Sequence, residues 1–118
     1  MIVSCRDLNK RIDLNKNIIT SLDRGVYLSK IGHMESKLIS FLFDNPSIII
    51  TKDEILKSVW SPRVVSSHSV VVGISKVRKI LSNPAKKNDF LVSISGVGYI
   101  FLAENCPFTV ELESSFTI

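Results

Sequence analysis

The sequence predicts an α+β fold in which a small amino-terminal antiparallel sheet leads into three helices and a carboxy-terminal β-hairpin. Three observations carry this expectation. Short apolar runs broken by Asn- and Gly-containing turns fill residues 1–30. Three stretches with helical periodicity follow, the last of them residues 66–81. Beyond these, two β-like runs flank Ser95-Gly96-Val97-Gly98, which suits a hairpin tip.

Taken in order, Arg11–Leu14 and Ile18–Ser21 flank Asn15-Lys16-Asn17, and Asp23-Arg24-Gly25 supplies a second turn before Val26–Lys30. Three or four short strands result, too few to bury much by themselves, so they must lean on helices. From Met34 to Asn45 a broad apolar face of Leu38, Ile39, Phe41, Leu42 and Phe43 predicts the first helix, stopped by Asn45-Pro46. Ile48–Ile50 reads as a β-bridge or linker. Thr51 and Glu54 have capping-box spacing at the head of TKDEILKSVW, whose buried side is Ile55, Leu56, Val59 and Trp60. A compact loop through Arg63-Val64-Val65 joins it to the third helix. Helix, short connection, helix is a helix-turn-helix arrangement.

The third helix sorts into two faces at about 100° per residue. Val70, Ile74, Val77 and Leu81 form one apolar stripe, while His68, Val72, Ser75, Lys76 and Lys79 lie opposite, with no acidic residue in the segment. Ser66 or Ser67 can cap its first amides. A helix docked by one face and offering cations and hydroxyls on the other suits a DNA major groove. After the polar loop 82–89, Phe90–Ile94 and Tyr99–Leu102 make the hairpin, which in this position is a wing. Residues 1–102 thus form the predicted DNA-binding domain. Residues 103–118, where Phe108, Val110 and Leu112 alternate, are expected to be a terminal strand, a tail or a linker.

Size and charge agree. A chain of 118 residues with 45% hydrophobic content has room for one domain with a real core. The formal charge of +4 is unevenly placed, with eight Lys/Arg against three Asp/Glu between Thr51 and Phe101. That asymmetry favours a polyanionic partner, a solvated basic face being the plainer alternative. Cys5 and Cys106 permit one disulfide but suit a reducing compartment, and no CxxC or Cys/His cluster accompanies them to bind metal. No long apolar run or signal layout is present, so a cytoplasmic module is expected.

IGHMESKLISFLFDNP (31–46), TKDEILKSVW (51–60), RVVSSHSVVVGISKVRKIL (63–81) and SGVGYIF (95–101) stand in an order and spacing that resemble the OmpR/PhoB winged-helix family, most closely its ToxR-like branch. With the amino-terminal strands the resemblance covers about residues 10–102. It implies a winged helix-turn-helix that regulates transcription by binding double-stranded DNA, often as tandem or head-to-tail homodimers that touch RNA polymerase. Arg63, Val64 and Val65 occupy the segment that relatives use near the polymerase. ToxR-like members commonly carry the domain on the cytoplasmic face of the inner membrane, ahead of a span. Three features depart from the pattern. Ser95 stands where wings often place an arginine for the minor groove. Gly73 and Ser75 replace larger polar or basic side chains on the recognition helix. No receiver domain precedes the first strand, so aspartyl phosphorylation within this chain is not expected.

Among candidate DNA contacts, Lys76 leads, with Lys79 beside it. Arg78 sits at the stripe's edge, where its head either meets a phosphate or forms a salt bridge with an acid such as Glu35. Ser67, His68 and Ser69 crowd the helix start, with capping as the default use of the serines. Thr51 and Lys52 begin the second helix, whose first amides can meet a phosphate, although Thr51 also serves as a cap. Lys86 and Lys87 are read as mobile, non-specific phosphate attractors. Ser95, Gly96 and Gly98 form the wing tip. Val64 and Val65 are either exposed or buried against Trp60, and Trp60 itself belongs to the core. The competing function is a winged-helix module that binds a partner regulator or RNA polymerase without strong DNA binding. An enzyme is not expected, because no paired carboxylates, nucleophile–base pattern or phosphate-cradling glycine loop occurs, and no cofactor is implied.

Overall fold

The structure, a computed structural model, describes residues 1–112. The amino-terminal half contributes β1 (Ile2–Cys5), β2 (Lys10–Asp13), β3 (Ile18–Ser21) and β4 (Tyr27–Lys30), then α1 (His33–Asp44). β5 (Ile49–Thr51) leads directly into α2 (Lys52–Ile55), whose last turn widens into a π turn over Leu56–Trp60. α3 (His68–Leu81), β6 (Leu91–Ile94) and β7 (Gly98–Phe101) follow, then a 3-10 turn at Ala103–Asn105 and a last strand, β8 (Thr109–Val110). The strands form two antiparallel sheets, one ordered β4-β3-β2-β1-β8 and the other β5-β7-β6.

Local chemistry sets the turns. Asp13 Oδ1 accepts from the amides of Asn15 (3.0 Å) and Lys16 (3.1 Å), and Asn17 takes a positive φ of 59°, which closes the β2–β3 hairpin. Val3 on β1 faces Ile12 on β2, and both are fully buried, so the inner face of this sheet packs on the helices. α1 ends where the Asn45 side-chain amide donates to the Phe41 carbonyl at 2.8 Å. Ile48–Ile50, the expected bridge or linker, supplies a strand whose last residue, Thr51, caps α2 by accepting from the Glu54 amide at 3.1 Å. Trp60 is buried in the core with Leu38, Ile55, Val59 and the stripe of α3. Cys5 and Cys106 are free and buried, and burial pushes the Cys106 thiol up to about 11.

The stretch after residue 102 is part of this packing. Thr109 and Val110 pair with Ser4 and Val3, the Glu111 amide donates to the Ile2 carbonyl at 2.8 Å, and Phe108 is fully buried. Cys106 and Phe108 thus belong to the core and residues 109–111 are paired to β1 rather than forming a detached tail or linker, Leu112 is 91% exposed, and residues 113–118 lie outside the described residues. The physical reason is that β1 would otherwise be a bare edge over an apolar interior. The Arg11 guanidinium fastens the seam, donating through Nε (2.7 Å) and a terminal nitrogen (3.1 Å) to the Glu111 carboxylate. That fork, helped by the Ser4 hydroxyl, holds the Glu111 carboxyl below its ordinary range.

Phe108→Ala should destabilise the fold by about 3–5 kcal/mol in urea denaturation, a loss expected of a core aromatic and not of a linker residue. Glu111→Gln should lower Tm by about 2–5 °C at neutral pH. Because the folded carboxyl is the more acidic, its contribution is present at neutral pH and is lost as pH falls through the lowered value. Melting curves of the two chains should therefore converge in acid.

Candidate nucleic-acid interface

Residues 68–81 form a helix because Val70, Ile74, Val77 and Leu81 recur on one face that the core can bury, and all four are buried. Gly73 joins that face. A Cβ there would lie 3.0 Å from the Trp60 ring and 3.2 Å from Leu38 Cδ2, so glycine lets α3 come down onto α1 and the π turn. Gly73 is thus a packing position, and the expectation that it subtracts a side chain from the outer face is corrected.

The outer face carries His68, Val71, Val72, Ser75, Lys76 and Lys79, all exposed. Among the described residues α3 has no acidic side chain, so its positive charge is not neutralised from within the helix. Ser69 is half-buried. Beside Val72 and Lys76 runs a shallow depression of about 250 Å³ reaching Met34 and Glu35 at the start of α1. The Glu35 carboxylate is turned back against Gly32.

Three expectations about single residues change. Ser67 occupies the cap position with helical backbone angles (φ −61°, ψ −21°) and makes no side-chain cap bond. A serine caps from an extended backbone, so this hydroxyl is left at the surface instead. Arg78 does not pair with Glu35. Its guanidinium donates to the Leu91 carbonyl at 2.8 Å and to Ser93 Oγ at 3.0 Å, both on β6. One terminal nitrogen of the guanidinium thereby joins α3 to the wing. Lys86 is not without a partner. Its ammonium lies 2.6 Å from Asp7 Oδ2, and each group shifts the other toward its charged form.

The loop bearing Lys86 is ordered by its asparagines. Asn83 receives a bond from the Ala85 amide at 3.0 Å, and Asn88 Oδ1 receives one from the Asn83 amide at 2.9 Å. Lys86 and Lys87 line a groove of about 600 Å³ shared with Arg6, Asp7 and Glu104, residues that do not line the depression beside α3.

Thr51 is half-buried as a cap and Lys52 is exposed beside it. In the connection to α3, Arg63 is exposed, Val64 is 99% exposed and Val65 packs against the core, so the two valines behave oppositely. At the wing tip Ser95 and Gly96 are exposed, the Val97 amide donates to the Ile94 carbonyl at 3.0 Å, and Gly96 takes a positive φ of 73°. Gly98 is not at the tip but in β7, where a Cβ would collide with the Ile50 carbonyl of β5. Val71 and Met34 carry no signal of a site role in the sequence, and Glu35 is expected there only as an ion-pair partner for Arg78. Val71 lies only about 100° from the apolar stripe, and the placement of α1 beside α3 has no local signal.

A capped short helix, a turn, a second helix with a cationic outer face and a hairpin tied to that helix define a winged helix-turn-helix domain. The family model for the carboxy-terminal domain of transcriptional regulatory proteins matches residues 29–101, and the chain belongs to that family, the OmpR/PhoB type. Over 89 residues it is 27% identical to a cholera toxin homolog transcriptional activator of Vibrio parahaemolyticus, covering 74% of this chain and 30% of that protein, which bears out the ToxR-like resemblance. It is also 27% identical over 67 residues to the transcriptional regulatory protein YvrH of Bacillus subtilis, covering 56% of this chain and 28% of that one. The chain thus spans less than a third of these relatives. The fold is shared with the DNA-binding domain of E. coli CadC (TM-score 0.68, 22% identity, 86% of this chain and 91% of that one). It is also similar to the DNA-binding domain of the response regulator AdeR in complex with an intercistronic region (TM-score 0.59, 25% identity, 80% and 94% covered).

Arg78→Ala should speed amide hydrogen exchange in β6 and β7 while leaving α1 unchanged, since both bonds to β6 come from one guanidinium nitrogen.

Proposed function

We propose that the chain is a sequence-selective, DNA-binding transcriptional regulator that inserts α3 into the major groove of double-stranded DNA. The observation that carries this reading is the acid-free outer face of α3, where Lys76 and Lys79 stand exposed opposite a fully buried valine and leucine stripe. The domain of AdeR, solved with an intercistronic region, supports a duplex as the partner.

In this reading Lys76 contacts a base edge or phosphate and Lys79 a phosphate. Ser67, His68, Ser69, Val72 and Ser75 meet the groove near the leading half of the helix. Thr51 and Lys52 approach the backbone from α2, and Ser95 and Gly96 lay the wing along the neighbouring groove without an arginine. Arg78 acts through the wing rather than on DNA. Lys86 and Lys87 add only long-range attraction, since Lys86 is held by Asp7. Arg63, Val64 and Val65 form a contact for RNA polymerase, and the exposure of Val64 supports that use. Homodimers on DNA, a cytoplasmic location (the cytoplasmic face of the inner membrane if a span follows) and the lack of an enzymatic role complete the proposal. No described helix is long and apolar enough to cross a membrane. The domain is taken as residues 1–112, because Phe108 and β8 belong to its core.

A winged helix that binds only protein would also use Val64, but it would leave the lysines of α3 without a task. Fluorescence anisotropy on duplexes selected from a random library, over a salt series, separates the two readings. Neutralising about four to six phosphates gives a log K against log salt slope near −4 to −5. Lys76→Ala should weaken binding about tenfold and relax site preference, whereas Lys87→Ala should affect all duplexes alike and only slightly. Absence of salt-dependent duplex binding would overturn the proposal in favour of the protein-binding module.

A further inference from the structure

The outer face of α3 contains an apolar surface that phosphate contact does not explain. Val72 is 38% exposed near its centre and Val71 41% exposed on its flank, with His68, Ser75, Lys76 and Lys79 around them. Several of the side chains that usually read bases are missing from this face. Asparagine and glutamine, which read adenine, and acids, which read cytosine, do not occur on α3, and its one arginine is bonded to β6. Lysines can serve guanine or phosphate. Beside Lys76 and the serines, this face adds a pair of branched hydrocarbons that hydrogen-bonding readout does not use.

In the major groove only thymine presents an apolar group, its C5-methyl. We infer that Val71 and Val72 read thymine, each packing its own methyls against a C5-methyl, so that the preferred sites place thymines under the leading half of α3. The occupant of this surface is a duplex and not an apolar protein, because cations border the valines and no acid on the helix offsets them. The inference rests on the reading of α3 as the groove-entering helix and adds the base class that it recognises.

The test replaces thymines with deoxyuracil, which keeps every hydrogen-bonding edge and removes only the methyl. Duplexes selected by the whole chain from a random library are resynthesised with one thymine changed at a time, and affinity is measured by anisotropy at fixed salt. One or two replacements should weaken binding by about three- to fivefold each, the share expected for one buried methyl. The same replacements should have almost no effect on the Val71→Ala and Val72→Ala chains, whose exposed positions and good helix propensity keep the fold, as circular dichroism verifies. If wild-type binding is salt-dependent but indifferent to every deoxyuracil, thymine reading is overturned while groove binding stands. If the valine variants lose as much as the wild type does, these residues are not the readers. If no duplex binds at any salt, both readings fall.

Discussion

The contact on which the molecule depends is the seating of α3 on Trp60 and Leu38. It is close because residue 73 has no side chain, and it is fixed in rotation because Val70, Ile74, Val77 and Leu81 all go inward. A helix rotated by even one residue would move about 100° and drive a lysine into the core, at several kcal/mol for an unpaired buried charge. Apolar packing, not any polar contact, therefore decides which side chains face outward. The function proposed for the outer face is a consequence of what the inner face buries.

Arg78 extends that constraint from the helix to the hairpin. By donating to a main-chain carbonyl and a hydroxyl of β6, it makes the wing follow the orientation of α3. β7 is in turn held between β6 and β5, and β5 runs straight into the cap of α2. Helix, wing and α2 are thus connected through a continuous run of short bonds. A wing lacking an arginine at its tip can still be aimed, because its base is anchored by one.

Much of this could be read from residue order. The period of residues 66–81 named the buried stripe, Thr51 and Glu54 marked the cap, and Gly96 marked the wing turn, since each signal lies within one element. What could not be read depends on where distant segments meet. Arg78 finds β6 only because the chain returns after the nine residues 82–90, and Gly73 looks like a gap in a recognition face until Trp60 is placed beneath it. The alternation of Phe108, Val110 and Leu112 was visible, but its partner β1 stands some hundred residues earlier in the chain, beyond any local pattern. Ser67 looked like a cap because composition says nothing about its backbone angles.

Charge is the instructive case, because folding redistributes it. Counting lysines placed Lys86 with Lys76 and Lys79 in one basic half of the sequence. The structure pairs Lys86 with Asp7 and Arg11 with Glu111, both on the side of the five-stranded sheet, and so neutralises cations there. Neither Lys76 nor Lys79 takes part in an ion pair among the described residues. With a screening length of about 8 Å at physiological salt, a phosphate at α3 responds chiefly to the unpaired ammonium groups nearest it. The face that attracts a polyanion is consequently narrower than the sequence tally suggests, and it coincides with the helix that the core has already oriented.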